Sequence, residues 1–152
     1  IFKKIDLIKL INKSSDFIKL TSKNSINVVK NTSDKFIKGD EDQLNRVMIN
    51  LIKNSEEALE ELKQKDPNFK GNIDIEIDSN NDYIIIRIKD NGTGITDTKK
   101  AMTPYFTTKK TGTGLGLPIV TKTINEHSGN FSIKNNKGKG TQIFISLPKI
   151  NA

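Results

Sequence analysis

Gly112, Gly114 and Gly116 stand at alternate positions in TKKTGTGLGLPIV (Thr108–Val120), just before an apolar run. Glycines this closely spaced let a backbone approach something that side chains would block. They lead into the start of a helical segment, where unpaired N–H groups and the helix dipole favour an anion. Lys109 and Lys110 stand immediately upstream as counter-charges. The familiar phosphate loops do not fit. No Lys-Ser/Thr pair follows the glycines, and the dinucleotide fingerprint needs glycine where Leu117 stands, after a strand that TTKKT is poorly suited to form. A flexible hinge before a core helix would use the same glycines.

Three other groups of residues bear on that choice. In DNGTGI (Asp90–Ile95), Asp90 ends the apolar stretch YIIIRIKD and faces a backbone left open by Gly92 and Gly94. Its carboxylate can accept a hydrogen bond from an exocyclic amine such as that of a purine. A surface turn would also explain the motif, although no returning strand follows it, as a hairpin would require. Arg46, Asn50 and Asn54 recur every four residues and form a polar ridge on one helix. Asparagine is disfavoured inside helices, and amide oxygens suit a hard cation such as Mg²⁺ that is also held by water and phosphate. Two solvated side chains in an Asn-rich chain are the plainer reading. Finally, Thr96–Thr111 is long for a connection and carries Phe106, Thr107, Thr108 and several lysines, as either a lid over phosphates or an ordinary loop would.

The elements that must position these residues follow from periodicity. Lys4–Ile18 carries Ile5, Ile8, Ile11 and Ile18 at roughly helical spacing. SINVVKN and KFIKGD read as two short strands around the turn NTSD. Glu41–Lys63 is the strongest helix, with Leu44, Val47, Met48, Leu51, Ile52, Ala58, Leu59 and Leu62 along one face and Asp40 as N-cap. NIDIEID alternates strictly, YIIIRIKD suits a more central strand, and NND between them predicts a hairpin. A helix over Leu115–Glu126 and a last hairpin, NFSIKN with TQIFISLP, complete the order. Strands in pairs rather than singly between helices predict a two-layer α/β sandwich: a mixed, mostly antiparallel sheet with helices on one face.

Composition narrows the function. The 152 residues suit one domain with a genuine core. With no cysteine and one histidine, thiolate and His-cluster metal sites are excluded. The net charge of +7 comes from scattered lysines without an arginine stripe or aromatic platform, so no nucleic-acid partner is expected. No run approaches the roughly 18–20 apolar residues of a membrane span. The opening IFKKIDLIKL has neither Met nor a signal-peptide pattern, and reads as the start of a piece of a longer protein.

Taken together, the motifs resemble those of the ATP-binding domain of sensor histidine kinases, in the Bergerat-fold ATPase superfamily. DQLNRVMINLIKNSEEAL is similar to the N box, DNGTGI to the G1 box, PYFTTK to the F box and GTGLGLPIV to the G2 box, while GKGTQIFISLP resembles the closing strand. TPYFTTKKTGTGLGLPIV and EHSGN look most like nitrogen-regulation-type kinases. The resemblance implies ATP and Mg²⁺ as ligands. Asn54 would hold the metal, with Asn50 assisting at metal and phosphates. Asp90 would accept the adenine amine, with Gly92 and Gly94 admitting the ring and Thr141 on the adenine side. Gly112, Gly114 and Gly116 would cradle the triphosphate beneath a lid at about 96–111, with Lys109 a phosphate partner. Ile95, Thr108, Thr113, Leu115 and Leu117 join the nucleotide-binding set on the same ground.

The resemblance also implies a reaction. Hydrolysing relatives carry Glu where Asn50 stands, and Asn is no general base, which favours transfer of the γ-phosphoryl group to a histidine. That acceptor would lie on a separate helical dimerisation domain, with a response regulator as indirect partner. The setting implied is cytoplasmic, with no membrane contact by this domain, although the parent protein could be anchored in an inner membrane. His127, in NEHSGN after the G2 helix, reads as structural. A hydrolysing Bergerat ATPase and a catalytically silent nucleotide-binding docking module are the alternatives.

Overall fold

The strictly alternating NIDIEID and the more continuously apolar YIIIRIKD both become strands that bury every second side chain. The computed structural model describes residues 1–93, 116–135 and 140–151. Within them run β1 (Lys3–Asp6), α1 (Leu7–Lys19), β2 (Ser25–Lys30), β3 (Phe36–Gly39), α2 (Glu41–Lys65), β4 (Asn72–Ser79), β5 (Tyr83–Asp90), α3 (Gly116–Glu126), β6 (Asn130–Asn135) and β7 (Thr141–Pro148). Five strands form one sheet in the order β2-β4-β5-β7-β6. Only β2 and β4 are parallel; the other neighbours are antiparallel. This is the mixed, mostly antiparallel sheet expected, with β5 at its centre.

One face of the sheet carries Ile73, Ile75 and Ile77 of β4, Ile84, Ile86 and Ile88 of β5, and Ile143, Ile145 and Leu147 of β7. Against it pack Leu7, Ile11 and Ile18 of α1, Leu44, Met48, Leu51 and Leu59 of α2, and Val120 and Ile124 of α3, in a single hydrophobic cluster. The helices therefore lie on one side. On the other side Arg87 pairs with Glu76 (3.2 Å) and Asp78, and Lys89 with Glu76, a solvated face of the kind antiparallel sheets commonly keep.

Two expectations fail, both near the N-terminus. The first helix does not begin at Lys4: Lys3–Asp6 is a strand, and Asp6 caps α1 by accepting from Lys9 N–H at 3.0 Å. Ile5 thus belongs to β1. The expected hairpin of SINVVKN with KFIKGD does not form either. β3 pairs antiparallel with β1, placing Ile5 opposite Ile37 in a small separate sheet. β2 instead runs parallel to β4, setting Ile26 beside Ile73 and Val28 beside Ile75. That pairing extends the core-facing rows of the large sheet, which a hairpin with a four-residue strand would not do. The turn NTSD is tied down locally: Ser79 Oγ donates to Asp34 at 2.7 Å and Lys149 Nζ lies 3.0 Å from the same carboxylate.

Candidate nucleotide site

Asp90 sits where it does because a strand has a period of two. It follows Ile84, Ile86 and Ile88 on the inward face of β5, so the carboxylate ends an apolar row and is only 7% exposed. Thr141 does the same at the start of β7, ahead of Ile143 and Ile145. Two central strands thus bring a buried carboxylate and a buried threonine to one edge of the core. A buried carboxylate needs hydrogen bonds, and Asp90 Oδ1 accepts from Gly92 N–H at 2.9 Å and from Thr141 N–H at 3.3 Å.

Backbone proximity completes this corner. A Cβ on Gly92 would lie 2.8 Å from Ala58 Cβ and 3.1 Å from Asp90 Oδ1, so the loop after β5 rests on α2 only because residue 92 has no side chain. Gly140 is more constrained: its φ is +112°, and a Cβ there would sit 1.9 Å from the Asp90 carbonyl oxygen. Sequence reasoning assigned Thr141 and passed over Gly140 and Ala58. The signal available for Gly140 was the second glycine of GKG, directly before a strand, and for Ala58 a small residue among the large apolar side chains of its helix face.

The ridge on α2 leads to the same corner. Asp40 caps the helix, accepting from Gln43 N–H at 3.0 Å, and that bond holds its carboxyl below the usual carboxylate value. Asn50 and Asn54 are half-buried, whereas Arg46 is exposed. Asn54 lies one helical turn before Ala58, the residue against Gly92. Asp90, Gly92 and Thr141 are therefore in direct contact, and Asn54 and Asn50 extend from them along α2. Gly116 opens α3, and Leu117 is buried in the core, leaving only its backbone for a ligand. Gly94, Ile95, Thr108, Lys109, Gly112, Thr113, Gly114, Leu115 and the expected lid at 96–111 lie outside the described residues.

These groups can accept an amine's hydrogen bond at Asp90 and offer amide oxygens at Asn54 and Asn50, while the space that a side chain on Gly92 would need is taken by Ala58. Among the described residues no group of three or more His, Cys, Asp or Glu could hold a metal, so a cation at this corner would rely on amide oxygens, water and its own anionic ligand.

His127 belongs to the scaffold, as expected. It is 4% exposed. Its Nε2 accepts from Asp40 N–H at 3.0 Å, its Nδ1–H donates to the Thr123 carbonyl at 2.8 Å, and its ring stacks on Phe2 with centroids 4.4 Å apart. Both ring nitrogens are engaged in joining the start of α2 to the end of α3.

A two-layer sandwich with a buried Asp at the end of its central strand, a Gly-Gly approach around it and an Asn ridge on the adjoining helix is the Bergerat fold. Residues 39–151 match the family described as histidine kinase-, DNA gyrase B- and HSP90-like ATPases. Sporulation kinase B of Bacillus subtilis is 38% identical over 147 residues, covering 94% of this chain and 33% of that protein. The sensor histidine kinase ZraS of Salmonella typhimurium is 40% identical over 119 residues, 76% of this chain and 24% of its own length. The chain thus spans a third or less of both relatives. Among solved structures, the catalytic domain of histidine kinase ThkA superposes with a TM-score of 0.83 at 26% identity, covering 98% of this chain and 96% of that one. A mycobacterial sensor histidine kinase, MprB, shares the fold with a TM-score of 0.82 at 20% identity over the full length of both chains. The chain belongs to the family of histidine kinase-, DNA gyrase B- and HSP90-like ATPases, and within it matches the catalytic domain of sensor histidine kinases.

Proposed function

We propose that this domain binds Mg²⁺–ATP and donates the γ-phosphoryl group to a histidine on a separate dimerisation domain of its parent protein, in two-component signalling. The observation that carries the reading is Asp90: a buried carboxylate at a strand end, one oxygen held by two backbone N–H groups, beside a glycine that packs closely on α2. The Asp90 carboxylate would accept the hydrogen bond of a purine amine. Asn54, assisted by Asn50, would hold Mg²⁺, which when bound offsets phosphate charge. Lys109 and the glycines at 112, 114 and 116 would take the phosphates. Catalysis in phosphoryl transfer rests mainly on positioning and electrostatics, and Asn50 supplies no base to activate water. The acceptor would come from the parent's helices, with a response regulator downstream. The domain would work in the cytoplasm, where ATP is supplied; among the described residues no helix is long and apolar enough to cross a membrane.

The test is calorimetry with a non-hydrolysable ATP analogue, with and without Mg²⁺, on the wild type, Asp90→Asn and Asn54→Ala. The expected result is binding that Mg²⁺ strengthens, that Asp90→Asn abolishes, and that Asn54→Ala makes independent of Mg²⁺. Phosphate should then pass to an added acceptor domain, with little free phosphate released. Absence of binding by folded wild type, or unchanged binding by Asp90→Asn, would overturn the reading. Steady phosphate release without transfer would replace the kinase by a hydrolase.

A further inference from the structure

The residue beside Asp90 makes hydrogen bonds that the site described so far does not use. The β4–β5 ladder ends with Ile73 opposite Asp90. Beyond it the chain turns away so that Gly92 N–H can reach Asp90 Oδ1 and Gly92 can rest on Ala58. The turning backbone supplies only half of the next rung, through Asn91 N–H, and the carboxamide of Asn91 supplies the other half. Its Oδ1 accepts from Asn72 N–H at 2.8 Å, its Nδ2 donates to the Lys70 carbonyl at 3.1 Å, and its own backbone N–H donates to the Asn72 carbonyl at 3.3 Å. An amide side chain has the donor and acceptor of a peptide unit, so Asn91 continues the sheet by one position while the main chain departs.

We infer that Asn91 is a positioning residue for base recognition: by pinning the Lys70–Asn72 backbone to the end of β5, it sets the direction in which Asp90 presents its carboxylate, and so the preference for a purine with a 6-amino group. The inference rests on the nucleotide reading given above. Asn91 is exposed, so its bonds compete with water and contribute little to global stability. Their effect is local, on the peptide joining Asp90 to Gly92.

The test compares the affinities of non-hydrolysable ATP and ITP analogues, which differ at the purine 6-position, and reads their ratio. Asn27→Ala is the control: Asn27 is also exposed and also donates to β4, to Asn72 Oδ1 at 3.1 Å and Asp74 Oδ1 at 3.2 Å, yet it touches nothing at Asp90. In Asn91→Ala the ratio should fall about fivefold to tenfold, the size of one well-aligned hydrogen bond, with the melting temperature close to wild type. In Asn27→Ala the ratio should not change. Asn91→Asp, which keeps the acceptor for Asn72 N–H but lacks the donor to Lys70, should also lower the ratio, and it serves if the alanine variant does not fold. A wild-type ratio in Asn91→Ala or Asn91→Asp, or an equal fall in Asn27→Ala, would overturn the inference with the nucleotide site intact. Failure of the wild type to bind either analogue would overturn the nucleotide reading itself, and this inference with it.

Discussion

Replacing Gly140 by alanine tests how tightly the corner around Asp90 is built. The new Cβ would stand 1.9 Å from the Asp90 carbonyl oxygen, 2.7 Å from its carbonyl carbon and 3.0 Å from Asn91 Cα. All three are backbone atoms of the central strand and its exit, so no side chain can swing aside, and the two chains must part by more than an ångström. The φ of +112° is one that L side chains rarely adopt, and strain of that kind costs about 1–3 kcal/mol. The forced separation adds an overpacking cost of about 1–3 kcal/mol. At about 2–4 °C per kcal/mol for a domain of this size, the melting temperature should fall by on the order of 10 °C. The parting also pulls Thr141 N–H from Asp90 Oδ1, now 3.3 Å apart, so ATP-analogue binding should weaken at temperatures where the variant is still folded. Circular-dichroism melts and a fluorescent-analogue titration measure the two effects. A melting point within about 2 °C of wild type, well under the shift expected from this cost, together with unchanged binding would refute the steric reasoning.

Three further predictions follow from the scaffold. Ile75→Ala, at a fully buried position on β4, should cost about 2–5 kcal/mol in urea unfolding, with the residual cavity deciding where in that range it falls. His127→Ala removes the acceptor of Asp40 N–H and the ring stacked on Phe2; an amide left unsatisfied costs about 1–3 kcal/mol, and wild-type protein incubated alone with Mg²⁺–ATP should show no phosphate on His127 by mass spectrometry. Asp40 has a carboxyl held below its ordinary value of 3.8 chiefly by Gln43 N–H. Its contribution is therefore complete above that value and is lost as pH falls through the lower folded-state value. Asp40→Asn, which retains a capping oxygen but cannot titrate, should flatten the acid limb of a melting-temperature profile.

Much of this architecture is legible along the chain, and the failures have a common cause. The rows Ile73–Ile77 and Ile84–Ile88 announce which face of each strand is buried, and the step of two that buries Ile88 also buries Asp90. The apolar stripe from Leu44 to Leu59 likewise sets the orientation of α2 and puts Asn50 and Asn54 at the border of the core. β1 was missed because Ile5 fits a helical spacing with Ile8 and Ile11 as well as it fits a strand, and a four-residue segment carries too little pattern to separate the two. The hairpin expected of β2 and β3 was wrong because nearness in sequence competes with burial, and Ile26 and Val28 bury more fully beside Ile73 and Ile75.

By itself, then, the sequence determined the inward and outward sides of nearly every element, the capping of α2 by Asp40 and the family to which its motifs belong, because each is written in local spacing or local chemistry. Only the tertiary structure decided which strands are neighbours, that β1 and β3 form a sheet of their own, that His127 joins Asp40 to Thr123, and that Gly140 presses on the backbone of Asp90 while Asn91 extends the ladder beside it. The Asn91–Asn72 and His127–Asp40 contacts join residues 19 and 87 positions apart in the chain. Separation of that kind leaves no periodic trace, since the choice among partners rests on which pairing closes the core and satisfies its buried polar groups.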